Sequence, residues 1–138
     1  MNQKEAETII EGLDDVQREE NFGYIFFFVG DDHMLPFVTI AAEDNEYDKV
    51  SNLDRDGVFR INIGVGREIF ESMFDSADSG PLDYSALNTF LPHPDYAKQH
   101  FICILSPAGE NVELTQKHIE EAHSLAAARY KRKADQAN

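Results

Sequence analysis

Apolar residues fall into short blocks whose spacing switches between helical and extended. In residues 3–13, Ala6, Ile9, Ile10 and Leu13 recur at helical spacing, with Glu5, Glu7 and Glu11 off that stripe. This predicts an amphipathic helix, ended by Gly12 and the Asp14-Asp15 pair. The unbroken run Tyr24-Ile25-Phe26-Phe27-Phe28-Val29 is too short for a core helix and predicts a strand buried on both faces. Gly30-Asp31-Asp32 is a turn signal, and Phe37–Ala41 is the next strand. Pro36 stands at its start, where a missing N–H does least harm. The short link between the two strands predicts an antiparallel hairpin.

A polar loop then runs over residues 43–56, with Tyr47, Val50 and Leu53 as its expected anchors. From Val58 to Ile63 the pattern alternates. Phe59, Ile61 and Ile63 share the core face, while Val58, Arg60 and Asn62 point at a surface or a cleft. Gly64-Val65-Gly66 opens a helix that turns Ile69, Phe70, Met73 and Phe74 inward, and residues 76–81 read as a mobile surface loop. Tyr84–Leu91 predicts a short helix with Leu87, Phe90 and Leu91 inward, stopped by Pro92-His93-Pro94. Phe101–Leu105 is a fourth, buried strand. A long C-terminal helix starts near Asn111 or Thr115 and runs to Lys131, leaving residues 132–138 as a frayed tail. The order of elements predicts one α+β domain spanning 1–138: a largely antiparallel four-stranded sheet, helices packed mainly on one face, and a long C-terminal helix.

Composition narrows the function. The chain has 138 residues, long enough for one proper core, and 42% of them are hydrophobic. Acidic residues number 26 against 12 basic ones, a formal charge of -14. That balance repels polyanions, so nucleic acid and anionic membrane surfaces are not expected partners. The single cysteine, Cys103, cannot form an intrachain disulfide, which fits a cytoplasmic location. No signal-peptide core and no apolar run long enough for a membrane span is present. No His-x-x-x-His, Cys pair, calcium loop or P-loop occurs, so no metal and no cofactor is expected.

Arg55, Arg60 and Arg67 fall within 13 residues of this acidic chain. Arg60 and Asn62, on the off-core face of a strand, suit recognition of an anion by a guanidinium fork and an amide donor. The alternative is an internal ion pair for Arg60, with Asn62 capping a loop. Gly64-Val65-Gly66-Arg67 could present backbone N–H groups to an anion, or the glycines could simply make a tight strand-to-helix turn. Asp54-Arg55-Asp56-Gly57 reads as a turn in which Asp54 could orient Arg55 or Arg60. His93 is held stiffly between two prolines, either as an acid/base or ligand contact, or as a packed loop residue. Cys103 lies in an apolar strand and reads as buried and inert. The candidate ligand set is Arg55, Arg60, Asn62, His93 and Tyr96, around a small anionic molecule. An enzyme with His93 as acid/base and Arg60 as anchor is the second reading. A protein-interaction domain or homodimer is the third.

Several blocks together resemble a family of small uncharacterised bacterial proteins, domain of unknown function 6194. They are Pro36-Phe37-Val38-Thr39-Ile40, then Tyr47-Asp48 through Leu53-Asp54-Arg55, then Gly57 to Val65. Tyr84-Ser85-Ala86-Leu87, Leu91-Pro92-His93-Pro94-Asp95-Tyr96 and the strand around Cys103 follow. The likeness spans nearly the whole chain and implies no activity. The element order also resembles, more loosely, the MmcQ/YjbR fold, which is described as DNA-binding. The acidic charge argues against carrying that implication over.

Overall fold

The computed structural model describes residues 1–74 and 80–137. Of the loop expected at 76–81, only Gly80 and Pro81 lie among them. The elements in chain order are α1 (Gln3–Glu11), β1 (Val16–Asn21), β2 (Tyr24–Val29), β3 (Val38–Ala41), β4 (Arg60–Gly64), α2 (Arg67–Phe74), β5 (Leu91–Pro92), β6 (Phe101–Leu105) and α3 (Glu110–Ala137). The strands form one antiparallel sheet in the order β1-β2-β3-β4-β6-β5. The α+β class, the antiparallel sheet and the long C-terminal helix are as expected. The strand count is corrected from four to six. The four expected strands make up the centre of the sheet, and β1 and β5 are its edges.

The helices sit on one face. Ile25, Phe27, Val38, Ile40, Ile61, Ile63, Ile102 and Ile104 point to that side, where they meet Ala6 and Ile10 of α1 and Ile119, Ala122 and Ala126 of α3. Ile69, Phe70, Met73 and Phe74 of α2 pack against the same core. Gly66, at φ 87°, makes the strand-to-helix turn, and a Cβ there would lie 2.8 Å from Leu125 Cδ1. α3 stays helical past residue 132, where fraying was expected. Tyr130 bonds Asp31 and Lys133 pairs with Asp32 at 2.7 Å, which tie the last turns to the β2–β3 connection.

β1 escapes hydrophobic pattern analysis because four of its six residues are exposed. Its pairing is set by the turn that follows. Phe22 and Gly23 both have positive φ, 54° and 80°, and Asn21 faces Tyr24 across them. Arg18 of β1 reaches Glu7 and Glu11 of α1 as well as Glu20. Charges along an edge strand discourage pairing with another chain.

The helix expected at Tyr84–Leu91 does not form. Asn88 takes a left-handed φ of 54° and donates its N–H to Leu105 at 2.7 Å, while its side-chain oxygen accepts from Ala108 at 2.8 Å. The Asn88 N–H thus bonds to β6 instead of to its own turn, and its side chain bonds to the connection that leads into α3. Leu91 is buried, but Leu87 is exposed. The anchoring of the 43–56 loop also differs from expectation: Leu53 is buried, while Tyr47 and Val50 are exposed.

Phe22 is 81% exposed at a left-handed position, so its ring gains little burial while its backbone is strained. Phe22→Asn should raise stability by about 1 kcal/mol, and the melting midpoint by about 4 °C, followed by circular dichroism. An unchanged or lower midpoint would contradict this account of the hairpin.

Candidate functional site

No described α-helix covers the second face of the sheet. Strand alternation turns Tyr24, Phe26, Thr39, Arg60, Asn62 and Phe101 to that side. The 43–58 and 83–100 segments, the second with one 3-10 turn at Ala97–Gln99, cover it in place of α-helices. Between them lies a cavity of about 500 Å³. Tyr24, Phe26, Thr39, Arg60, Asn62 and Phe101 form its floor. Met34, Leu35 and Pro36, from the β2–β3 connection, form one wall. Tyr47 and Asp48 form a second, and His93, Asp95, Tyr96 and Gln99 form a third.

Arg60 lies at the base and is 0% exposed. Its Nε donates to Asn62 Oδ1 at 3.0 Å, Nη1 donates to Ser51 Oγ at 2.9 Å and to Asp48 Oδ1 at 3.1 Å, and Nη2 donates to Asp48 Oδ2. Asp48 also accepts from the Tyr24 hydroxyl, and Asn45 Nδ2 donates to that hydroxyl at 3.1 Å. Asn62 Nδ2 donates to Thr39 Oγ1 at 2.9 Å. Burial alone would raise the Asp48 carboxyl, but the bonds from Arg60 and Tyr24 outweigh it and hold its pKa below the ordinary value. For Arg60, the cost of burial is likewise outweighed by Asp48, so its pKa is raised. The pair is therefore a bidentate, fully charged, buried ion pair.

His93 is 4% exposed. Its backbone N–H donates to Phe101, which fixes the loop against β6. Its Nδ1 accepts from the backbone N–H groups of Asp95 and Tyr96, both at 3.0 Å. A nitrogen that accepts twice carries no proton, so the proton sits on Nε2. Among the described residues the side-chain hydrogen bonds of His93 are both to Nδ1 and none reaches Nε2, and His93 lines the cavity. Burial, followed by the nearby Arg60 charge, lowers the His93 pKa to about 4. At neutral pH the ring is thus a neutral N–H donor. Thr39, whose oxygen accepts from Asn62, keeps its hydroxyl proton for the same space.

The sequence-derived candidates separate here. Arg60, Asn62, His93 and Tyr96 line one cavity. Arg55 does not reach it: its guanidinium donates to the carbonyls of Asn52, Ser51 and Ser85, and so clamps two loops together. Arg67 pairs with Glu71 on the surface of α2. Cys103 is buried, and burial pushes its thiol up to about 12. Tyr24, Thr39, Tyr47 and Asp48 were missed by sequence reasoning. The strand pattern placed Tyr24 and Thr39 in strands, but nothing in the spacing tied Asp48 to Arg60.

Two consequences are measurable. Arg60→Leu leaves the Asp48 carboxylate buried without its counter-charge and should cost about 3–5 kcal/mol of stability. Adding Asp48→Asn should recover a large part of that loss, and chemical denaturation of both variants checks it. Equal instability of the single and double variants would contradict the ion-pair assignment. For His93, the unfolded ring titrates near its ordinary value of 6.5 and the folded ring near 4. Between these pH values the unfolded chain binds a proton that the folded chain refuses, so stability falls as pH falls, by about 3 kcal/mol over the window. His93→Asn keeps an acceptor for the two N–H groups and should flatten that part of the stability–pH curve. A curve with wild-type slope would exclude His93 as its source.

Comparison with known proteins adds one relationship. No curated protein and no solved structure matches the chain. The model of a family of unknown function, DUF6194, matches residues 1–135. With all but the last three residues inside that match, the chain belongs to the DUF6194 family.

Proposed function

We propose that the protein is a small-molecule binding module whose ligand occupies the cavity over Arg60 and hydrogen-bonds to His93. The observation that carries this reading is a rigid N–H donor, His93 Nε2–H, without a partner among the described residues, in an aromatic-lined cavity of about 500 Å³. Few convergent polar groups in a largely apolar concavity are the usual composition of a ligand site. The ligand offers an acceptor, such as a carbonyl, to that donor.

The charge of the cavity qualifies the anionic ligand suggested by the arginines. Asp48, Arg60 and Asp95 are its charged lining residues. Arg60 is paired with Asp48, which leaves no unpaired cation among them. A neutral acceptor such as a ketone or amide therefore fits better than a carboxylate or phosphate. The acid/base reading is less well supported, because the Nδ1 lone pair of His93 is already engaged by two backbone N–H groups.

A nuclear magnetic resonance screen of small amides, ketones and carboxylates tests the reading. Ligands should shift the His93 Nε2–H and Asn62 side-chain resonances, with amides and ketones above carboxylates of equal size. His93→Asn, which removes that donor, should weaken binding about tenfold, the value of one hydrogen bond. Binding confined to other surfaces, or unchanged by His93→Asn, would refute the proposal.

A further inference from the structure

Two large aromatic side chains stand at the mouth of the cavity largely in water. Tyr47 is 90% exposed and Tyr96 is 56% exposed, and both belong to the cavity lining. Among the described residues Tyr47 stacks on no other ring, whereas Tyr96 lies 5.0 Å from the His93 ring. The Tyr47 side chain therefore adds almost nothing to the packing of the fold.

Its backbone, in contrast, is held tightly. Asn45 and Asp48 exchange backbone hydrogen bonds at 3.1 and 3.2 Å, closing a four-residue turn. Tyr47 N–H donates to Asn45 Oδ1 at 2.8 Å. Asp48, the next residue, is fixed below by Arg60 and Tyr24. The turn thus presents an exposed ring from a rigid base to the same cavity that Tyr96 lines. Tyr96 is fixed equally well, because its N–H is one of the two that His93 Nδ1 accepts. Phe26 and Phe101 continue the aromatic surface down to the floor.

We infer that the ligand of this cavity carries a flat aromatic ring, held between Tyr47 and Tyr96, with its acceptor turned down to His93 Nε2–H. This inference rests on the small-molecule reading above and names the class of ligand. Two exposed aromatic side chains lining one cavity favour a planar ring over a saturated one of similar size, because stacking adds to burial only for the flat ring. The preset turn lowers the ordering cost of closing on it.

The test compares naphthalene-2-carboxamide with its fully saturated decahydro counterpart. The two share the acceptor and differ in flatness. Binding is followed by nuclear magnetic resonance titration of the wild type, Tyr47→Ala and Tyr47→Phe. The naphthalene compound should bind about tenfold tighter than the saturated one and shift the Tyr47 and Tyr96 ring protons upfield. Tyr47→Ala should lose about that factor with an unchanged melting midpoint, while Tyr47→Phe should bind as the wild type does. Equal binding of the two compounds, or indifference to Tyr47→Ala, would overturn the aromatic clamp. If the His93 Nε2–H resonance still responds in that case, the small-molecule site itself stands. If it responds to neither compound, both readings fail.

Discussion

The architecture of the second sheet face follows from burying one guanidinium. β4 places Arg60 on the side of the sheet that no described α-helix covers, at a position with no access to water. A buried cation without a partner is far more costly than any packing it provides, so a carboxylate has to be brought to it. Asp48 is that carboxylate, and it comes from the long connection between β3 and β4. The connection must therefore fold back over the sheet instead of extending into solvent. Ser51, Asn62 and Tyr24 take up further donors and acceptors of the pair, which makes the loop part of the interior. A chain segment with little apolar content is held in place by hydrogen bonds.

A face covered by loops differs from a face covered by helices. Ile10, Ile119 and Ala122 press apolar stripes onto the isoleucines of the sheet and bury them. Loops meet the sheet at separate points: Asp48 on Arg60, Leu53 on Ala41 and Leu105, and His93 beside Phe101. Between those points the aromatic floor stays uncovered. The cavity is thus where two loops, each anchored at its own contacts, fail to meet. The same asymmetry explains why its lining mixes rings with a few fixed polar groups.

What the sequence disclosed follows the strength of its apolar signal. β2, β3, β4 and β6 carry apolar runs or clean alternation, and all four were legible. β1 carries Gln17, Arg18, Glu19 and Glu20, and is a strand because a tight turn and a strong neighbour make it one. The spacing of Leu87, Phe90 and Leu91 mimics a helix, yet its backbone partners are distant in sequence. That is a tertiary choice, invisible to a local pattern. In the site, alternation alone showed that Arg60 and Asn62 leave the core face. Their partners could not be read the same way. Asp48 is one acid among 26, and contact with Arg60 depends on a loop path with no periodicity. Arg55 misled through nearness in sequence. It stands in the loop and clamps backbone carbonyls, so five residues of separation bring it no closer to the cavity.

The chemistry of the cavity is set by which nitrogen of His93 holds the proton. The Pro-His-Pro segment and the two N–H groups of Asp95 and Tyr96 assign an acceptor role to Nδ1. To bind a second proton, the ring would have to give up both bonds and carry charge in a buried place next to Arg60. That double cost is why its pKa is pushed down to about 4. The donor facing the cavity is consequently constant through the neutral range. A catalytic base needs the opposite arrangement, a free lone pair whose proton affinity lies near the working pH. A group that offers one fixed N–H, beside an ion pair already internally neutralised, can orient a polar ligand without exchanging protons with it. Such fixed polarity within a largely apolar wall is what the proposed recognition of a polar ligand requires.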